Sequence, residues 1–200
     1  MKSRITDYPV RKDIILDVLA FFMYIEENMS RSQSEVITGT LTYIPLYATP
    51  RLQITINPPF VGARNMSTVQ KEDLFNVYNN LKDCGNLDYV TCWYKKAADY
   101  IENQAIKCAF VSTNTITQGE QPAIFWKSLF LSGIKIDFAY RTFIWDSEAN
   151  LKAHVHCVIV GFSRTGDENN RFIYENGKKV KAKNINAYLL DMENIFVESR

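Results

Sequence analysis

Two periods of apolar residues run along the chain and predict helices and strands in turn. Apolar side chains recur every three or four positions in four segments, a spacing typical of helices that pack on a core. These predicted helices cover residues 13–29, 68–82, 86–104 and 120–133. Short runs rich in β-branched and aromatic residues predict strands at 52–56, 106–114, 134–145 and 153–163, with a less regular extended segment at 36–48. Alternating strands and helices favour an α/β fold with a largely parallel sheet and helices on both faces.

The last two predicted strands break this alternation. They are joined by residues 146–152 with no helix between them, so they should be antiparallel neighbours. The expected sheet is therefore mixed, with a reversed strand near one edge. Beyond it, residues 171–183 place Asn176-Gly177 between two alternating runs, which is the strongest short-range signal for a β-hairpin in the chain.

Composition narrows the class of protein but not its partners. The 200 residues are 46% hydrophobic and 22% charged, which is typical of one compact globular domain. With 23 Lys and Arg against 22 Asp and Glu, no overall charge attracts the chain to nucleic acid, so such binding would need a local patch. The apolar run at residues 14–25 is too short to cross a membrane and contains an aspartate, so no membrane span is expected.

The spacing of cysteine and histidine argues against a metal site. The cysteines never form a Cys-x-x-Cys pair, and reduced thiols in the cytoplasm are the simpler interpretation. His154 and His156 flank one residue of a predicted strand and therefore point to the same face. Two histidines at this spacing can bind a metal, but we expect buried imidazoles with hydrogen-bond partners and assign no metal.

The segment QITINPPFVG, residues 53–62, runs an apolar strand directly into two prolines. Proline donates no backbone hydrogen bond and fixes φ, so the strand must end where Pro58 and Pro59 begin. Asn57 then lies at the carboxyl end of the strand, which is where ligands collect in an open α/β sheet. Position and rigidity both favour a binding site there.

The chemistry of this segment suits a planar ring with an exocyclic amino group. The Asn57 carboxamide and the Pro58 carbonyl offer two hydrogen-bond acceptors, and Phe60 offers a face on which a base can stack. Two acceptors on the amino hydrogens favour a pyramidal nitrogen, whose lone pair can attack a methyl group held in line. An ordinary turn, with Asn57 starting it and Phe60 in the core, explains the tetrapeptide equally well.

Five longer stretches carry a resemblance to a known family. In order and spacing, the chain resembles the methyltransferase region of type IIL and IIG restriction–modification enzymes over NPPFVGARNMS, LDYVTCWYKKAADYI, CAFVSTNTITQGEQPAIFW, FAYRTFIWDSEANLKAHVHCVIVGFS and INAYLLDMENIFVESR. These enzymes are bacterial gamma-class N6-adenine DNA methyltransferases, and the resemblance runs from about Leu52 to Arg200. It implies a Rossmann-like class I methyltransferase fold, S-adenosylmethionine as cofactor and DNA as partner.

The resemblance also implies roles for individual residues. The catalytic motif that binds and stacks a flipped adenine would be Asn57, Pro58, Pro59 and Phe60. A second aromatic residue, Phe143 or otherwise Trp145, would stack on the other side of the base, although both fit core or rim packing as well. Apart from the resemblance, Arg64 is a candidate for contact with DNA phosphates by its position just past NPPF, and Lys178 and Lys179 are candidates because lysines cluster on the hairpin. Lysines on an edge strand also prevent aggregation, so the hairpin lysines have two explanations.

Two parts of the family pattern are absent from the sequence. The S-adenosylmethionine turn, of the F-x-G-x-G kind, needs glycines two positions apart, and none of the eight glycines are so spaced. The sequence also ends where relatives continue into the domain that reads the target sequence. We therefore expect a single partial methyltransferase domain over residues 1–200, incomplete in its sheet and its cofactor pocket. Its parts would be a divergent N-terminal segment (1–50), a catalytic core (51–164) and a hairpin with a C-terminal extension (165–200).

Such a domain would be inactive alone and would need the missing N-terminal cofactor-binding and target-recognition regions. Other functions are compatible with the same residues. A loop with this motif also serves methyltransferases that act on RNA or on a glutamine side-chain amide, since an amide also presents a planar NH2 group. A non-catalytic remnant that binds a partner chain or DNA is a third candidate. Without the cofactor-binding strand of the family fold, the strand at 52–56 would have an unpaired edge, covered by residues 36–48 or by a second copy. Gly39 and Pro45 weaken the first option, so we expect a homodimer.

Overall fold

The structure, a computed structural model, describes residues 53–56, 58–103, 105–145, 155–166, 170–176 and 178–196. The predicted helix at 13–29 and the predicted extended segment at 36–48 lie outside these residues. In chain order, the described elements are β1 (Gln53–Ile56), α1 (Thr68–Val77), α2 (Thr91–Tyr100), β2 (Lys107–Thr113), α3 (Gln121–Leu131), β3 (Lys135–Trp145), β4 (Val155–Ser163), β5 (Arg171–Glu175) and β6 (Lys178–Ala182). Every strand and helix predicted within this part of the chain is present.

The strands of the described residues form one mixed sheet in the order β1-β2-β4-β3-β5-β6. β1 and β2 are parallel, as are β3 and β5, whereas β4 is antiparallel to both β2 and β3. The mixed α/β class, the reversed strand and the hairpin of β5 with β6 are confirmed. The reversed strand is not near an edge of this sheet, however, because β4 inserts between β2 and β3 and the hairpin extends the sheet beyond β3.

Local sequence sets the ends of the helices. The hydroxyl of Ser67 accepts from the backbone N–H of Gln70, and the Gln70 side chain accepts from the backbone N–H of Ser67, so α1 begins with a capping box. α1 ends at Val77 rather than at residue 82 because Asn79 and Asn80 have positive φ angles of 50° and 55°. None of the helices in the described part is long and apolar enough to cross a membrane.

One face of the sheet, the helix-covered face, carries the larger core. All three described helices contribute buried side chains to it, among them Leu74, Tyr94 and Trp126. The Tyr94 ring lies at its centre, edge-to-face with Phe110 at a centroid distance of 4.8 Å and stacked on Phe162 at 5.2 Å. Such aromatic pairs add to the free energy of burial, so this face is the main source of stability.

The other face of the sheet, which we call the opposite face, carries a smaller cluster. Its buried members are Val111, Tyr140, Phe143, Cys157 and Ile159, and the partly buried Phe60, Phe138, Val155 and Tyr174 pack against them. No helix within the described ranges contributes to this cluster. Strand alternation separates the two cores, since neighbouring residues of one strand point to opposite faces.

Candidate functional site

The NPPF segment leaves the sheet where the sequence predicts. β1 pairs in parallel with β2 from Gln53 beside Lys107 to Ile56 beside Phe110, and it ends at Ile56. Asn57 itself lies outside the described residues, so its role stays a prediction. Because parallel strands end at the same edge, the segment begins at the carboxyl edge of the sheet.

The rest of the tetrapeptide is oriented by its contact with the opposite face. Pro58 is buried, Pro59 is exposed, and Phe60 is half-buried against the small cluster. A platform for stacking must meet its base, so the sequence predicts that Phe60 is at least partly exposed, and this is confirmed. Phe60 is thus held against the cluster while part of the residue remains exposed.

The backbone after Phe60 folds into a short, well-bonded loop. Within it, Val61 N donates to Pro59 O at 3.2 Å and Asn65 N donates to Gly62 O at 2.9 Å. Two further bonds tie the loop to the segment before α2: Tyr89 N donates to Val61 O at 2.9 Å, and Ala63 N donates to Asp88 Oδ1 at 2.9 Å. The loop is therefore stabilised by hydrogen bonds within it and by hydrogen bonds to Asp88 and Tyr89.

Asp88 is the residue that sequence reasoning missed. Its side chain is buried, and its second oxygen accepts hydrogen bonds from the hydroxyls of Thr115 and, at 3.4 Å, Thr113. Its backbone N–H donates to Gln121 Oε1 at 3.2 Å. A pattern of aspartate three positions before Thr91 signals the start of a helix, but no local pattern reveals a bond to a residue 25 positions earlier.

An irregularity in β3 brings Phe143 to the cluster against which Phe60 packs. The register of β3 against β4 shifts between Tyr140 and Phe143, so that Tyr140 pairs with Ile159 and Phe143 with Cys157. This bulge places the rings of Tyr140 and Phe143 on the opposite face, edge-to-face with a centroid distance of 5.6 Å. Phe143 is only 5% exposed, so it packs in the cluster here, and its stacking role stays a prediction. Trp145 ends β3, and its side chain is not among the described ones.

The candidate DNA-binding residues do not form one patch. Arg64 is exposed in the loop that follows β1. Lys178 and Lys179 are exposed on β6, at the other end of the sheet and about 24 Å from β1 for strands spaced as usual. The ammonium of Lys179 lies 3.8 Å from the centroid of the Phe172 ring, a cation–π contact that gives it a structural role as well.

The histidine prediction is wrong at the position that the structure describes. His156 is exposed on β4 rather than buried, and it pairs with Ile144, which is also exposed, near the end of β3. His154 lies outside the described residues. The described residues contain no group of three His, Cys, Asp or Glu side chains that could hold a metal ion.

The cysteines are buried and free of disulfides. Burial raises the pKa of the thiols of Cys92, Cys108 and Cys157 to about 12. They are therefore protonated at neutral pH and behave as small apolar side chains rather than nucleophiles.

Comparisons with known proteins agree with one another. A family model described as "MmeI, DNA-methyltransferase domain" matches residues 24–175. DNA methyltransferase A of Bacillus subtilis (strain 168) is 38% identical over 156 residues, which cover 78% of this chain and 18% of that protein. A structure of the type IIL restriction–modification enzyme MmeI in complex with DNA is 49% identical, with a TM-score of 0.69, over 74% of this chain and 21% of that chain.

This chain thus spans about a fifth of the length of the relatives that it matches. The family model covers well over half of the chain, and it includes β1, the NPPF segment, the Asp88 network and the strands that carry the opposite-face cluster. The resemblance stated from the sequence is therefore confirmed. The chain belongs to the MmeI family of DNA-methyltransferase domains found in restriction–modification enzymes.

Proposed function

We propose that this chain forms the target-base side of a DNA adenine-N6 methyltransferase with a Rossmann-like class I fold. The observation that carries the proposal is the half-buried Phe60, held at the carboxyl edge of a mixed sheet directly after two prolines and Asn57. Family membership supports methylation of DNA, and the MmeI structure that this chain resembles is itself a DNA complex.

The residues of this segment would select an adenine and orient its amino group. The Asn57 carboxamide oxygen and the Pro58 carbonyl would accept the two N6 hydrogens, and Phe60 would stack on the ring. Accepting both hydrogens raises the availability of the nitrogen lone pair without a strong base, so the contribution of the protein is positioning and electrostatics. Phe143, and Trp145 after it, are the proposed partners for the other side of the base.

The chain does not fit S-adenosylmethionine by itself. The cofactor supplies the methyl group when it is bound, and its methionine part needs a close approach to a glycine-rich turn, but no two glycines of this chain lie two positions apart. We assign no cofactor contact to the described residues. With S-adenosylmethionine and duplex DNA, the chain alone is expected to transfer no methyl group above background, as a tritium-transfer assay would show.

Partners follow from the same reasoning. We propose DNA as the substrate, with Arg64, Lys178 and Lys179 as phosphate contacts, and a cofactor-binding segment and a target-recognition region supplied from outside these 200 residues. Within the described residues β1 pairs only with β2, so its other edge is open to residues 36–48 or to a second copy. A mass near 23.1 kDa that does not change with concentration in light scattering would rule out the homodimer.

The proposal is tested by the capture of a single base. A single-stranded oligonucleotide of mixed sequence with one 2-aminopurine is titrated with the chain, and stacking on Phe60 should quench the fluorescence. Phe60→Ala should abolish the quenching. Phe75→Ala is the matched control, since Phe75 is an aromatic residue 40% exposed on α1, away from the segment. Equal quenching by the wild type and Phe60→Ala would contradict the proposal.

Competition separates adenine from the other candidate substrates. An oligonucleotide with adenine should displace the probe, whereas one with N6,N6-dimethyladenine, which stacks but has no N6 hydrogens, should compete roughly tenfold less well. A glutamine-containing peptide should not compete. RNA that competes better than DNA of the same sequence would instead favour the RNA methyltransferase alternative, which the family match does not support.

A further inference from the structure

The Asp88 network joins three stretches of the chain that lie far apart in sequence. One oxygen of the carboxylate accepts from Ala63 N in the loop after NPPF, and the other accepts from Thr113, the last residue of β2, and from Thr115 just after it. The backbone of Asp88 reaches α3 through Gln121. The loop, the end of β2 and the start of α3 thus meet at this one buried residue before α2.

A role limited to starting α2 does not explain these contacts. The start of α2 uses the backbone carbonyl of Asp88, which accepts from Thr91 N at 3.0 Å and from Thr91 Oγ1 at 2.8 Å. The hydrogen bonds described for the Asp88 side chain all go to the loop after NPPF or to Thr113 and Thr115 at and just after the end of β2, and not to α2. Burying a carboxylate is costly unless it is bonded, so an aspartate at 6% exposure needs these donors.

The position of the contact matters for Phe60. Ala63 lies three residues after Phe60, and Tyr89, next to Asp88, donates to Val61 O at 2.9 Å. These two hydrogen bonds fix the backbone on the C-terminal side of Phe60, while β1 and the two prolines fix the backbone on its N-terminal side. A hydrogen bond from an amide to a carboxylate is stronger than one between neutral groups, so Asp88 is the stronger of the two ties.

We propose that Asp88 is a positioning residue for the target base: its carboxylate holds Val61–Ala63 and thereby the height and tilt of the Phe60 ring. The proposal rests on the proposed function of the NPPF segment and adds the part of the structure that keeps it in place. Thr113 and Thr115 act through Asp88 by orienting its carboxylate, so that Oδ1 faces Ala63.

Residue-resolved hydrogen exchange of the 200-residue chain tests the positioning itself. Asp88→Ala should speed exchange of the Ala63 amide by tenfold or more, about the loss of one such bond. Asp88→Asn keeps one carbonyl oxygen but no charge, and it should give an intermediate rise, which also covers the case in which Asp88→Ala does not fold. Tyr94→Phe is the matched control, because it removes a buried hydrogen bond of 2.7 Å to Ser112 without touching the loop.

Two results would overturn the proposal. One is an unchanged Ala63 exchange rate in both Asp88 variants. The other is an equal rise in Tyr94→Phe at matched global stability, since that would report general destabilisation and not a local tie.

Base capture then tests whether the tie acts through Phe60. Asp88→Ala should weaken binding of the oligonucleotide, measured by the fluorescence anisotropy of an end label, and it should cause no further loss of affinity when Phe60→Ala is already present. Additive losses would mean that Asp88 does not act through the ring and would overturn the proposal. An absence of quenching by the wild type contradicts the proposed function instead, and the Ala63 exchange rates then decide the positioning role separately.

Discussion

The two faces of the sheet are built from the same strands but differ in what covers them. On β2, Phe110 belongs to the helix-covered face and Val111 to the opposite face; on β4, Val160 and Ile159 divide in the same way. The helix-covered face buries large aromatic side chains completely, whereas Phe60, Phe138 and Tyr174 on the opposite face are only partly buried. A binding platform needs surface that is held but not hidden, and Phe60 on the opposite face offers such surface at the end of the NPPF segment.

This difference predicts that separate substitutions can lower the stability of the fold and abolish base recognition. Side chains of the helix-covered face should determine the free energy of unfolding. Side chains of the NPPF segment should determine function at little cost in stability.

The largest expected effect is on the helix-covered face. Trp126 is fully buried and its indole N–H donates to Ile116 O at 3.0 Å. Trp126→Ala should lower the free energy of unfolding by about 3–5 kcal/mol in urea denaturation, because it leaves a cavity and an unpaired carbonyl. Phe60→Ala should cost less than half as much. Equal losses would break the distinction between the faces.

The second effect is on the rate of methyl transfer. In an enzyme to which the cofactor-binding segment has been supplied, Asn57→Ala should lower kcat roughly a hundredfold or more, the size found for removal of a key charge-stabilising group. Asn65→Ala is the matched control, since Asn65 is an exposed asparagine of the same loop whose described loop bond comes from its backbone N–H. Tritium transfer to DNA measures both variants, and a loss below tenfold for Asn57→Ala would refute its catalytic role.

A smaller effect concerns the close packing of the opposite face. A Cβ at Gly161 would lie 2.1 Å from Cε1 of Phe138, whose ring covers this glycine of β4 from the paired position of β3. Gly161→Ala should therefore cost about 1–3 kcal/mol of stability through overpacking. Adding Phe138→Ala should recover part of the loss, because the smaller side chain removes the clash. If the double variant is less stable than either single one, the ring contact is not the cause.

The sequence predicts elements better than it predicts their neighbours. Asn176-Gly177 correctly places the β5–β6 hairpin because turn chemistry is local, and Pro58 correctly ends β1 for the same reason. The insertion of β4 between β2 and β3 depends on which sheet edge is free after folding, which no local pattern contains.

In the candidate site, too, features set by neighbouring residues can be predicted from the sequence, whereas features set by contacts between distant residues cannot. The half-exposed Phe60 follows from its neighbours in sequence, but the bulge that turns Tyr140 and Phe143 to one face follows from pairing with β4. Asp88 is the clearest case, since its bond to Ala63 closes a loop of 25 residues. A buried polar network is visible only when the strands and helices that surround it are in place.

The last prediction uses cysteine to compare how dry the two faces are. Burial raises the pKa of Cys157, on the opposite face, and of Cys92, on the helix-covered face, from 9.0 to about 12. A thiol with a raised pKa in the folded state binds its proton more tightly than in the unfolded state, so its contribution is complete below pH 9 and is lost as the pH rises towards 12. Stability should therefore fall between pH 8 and pH 10.

Between pH 8 and pH 10, each thiol should account for about 1 kcal/mol of the loss in the free energy of unfolding. Urea unfolding of Cys157→Ala and Cys92→Ala at both pH values gives the comparison, because the cost of the lost sulfur is nearly the same at each pH and cancels in the difference. We expect each of the two variants to reduce the fall. A reduction confined to Cys92→Ala would mean that water reaches the buried cluster of the opposite face, and that Phe60 rests on a wetter surface than the packing around Cys157 implies.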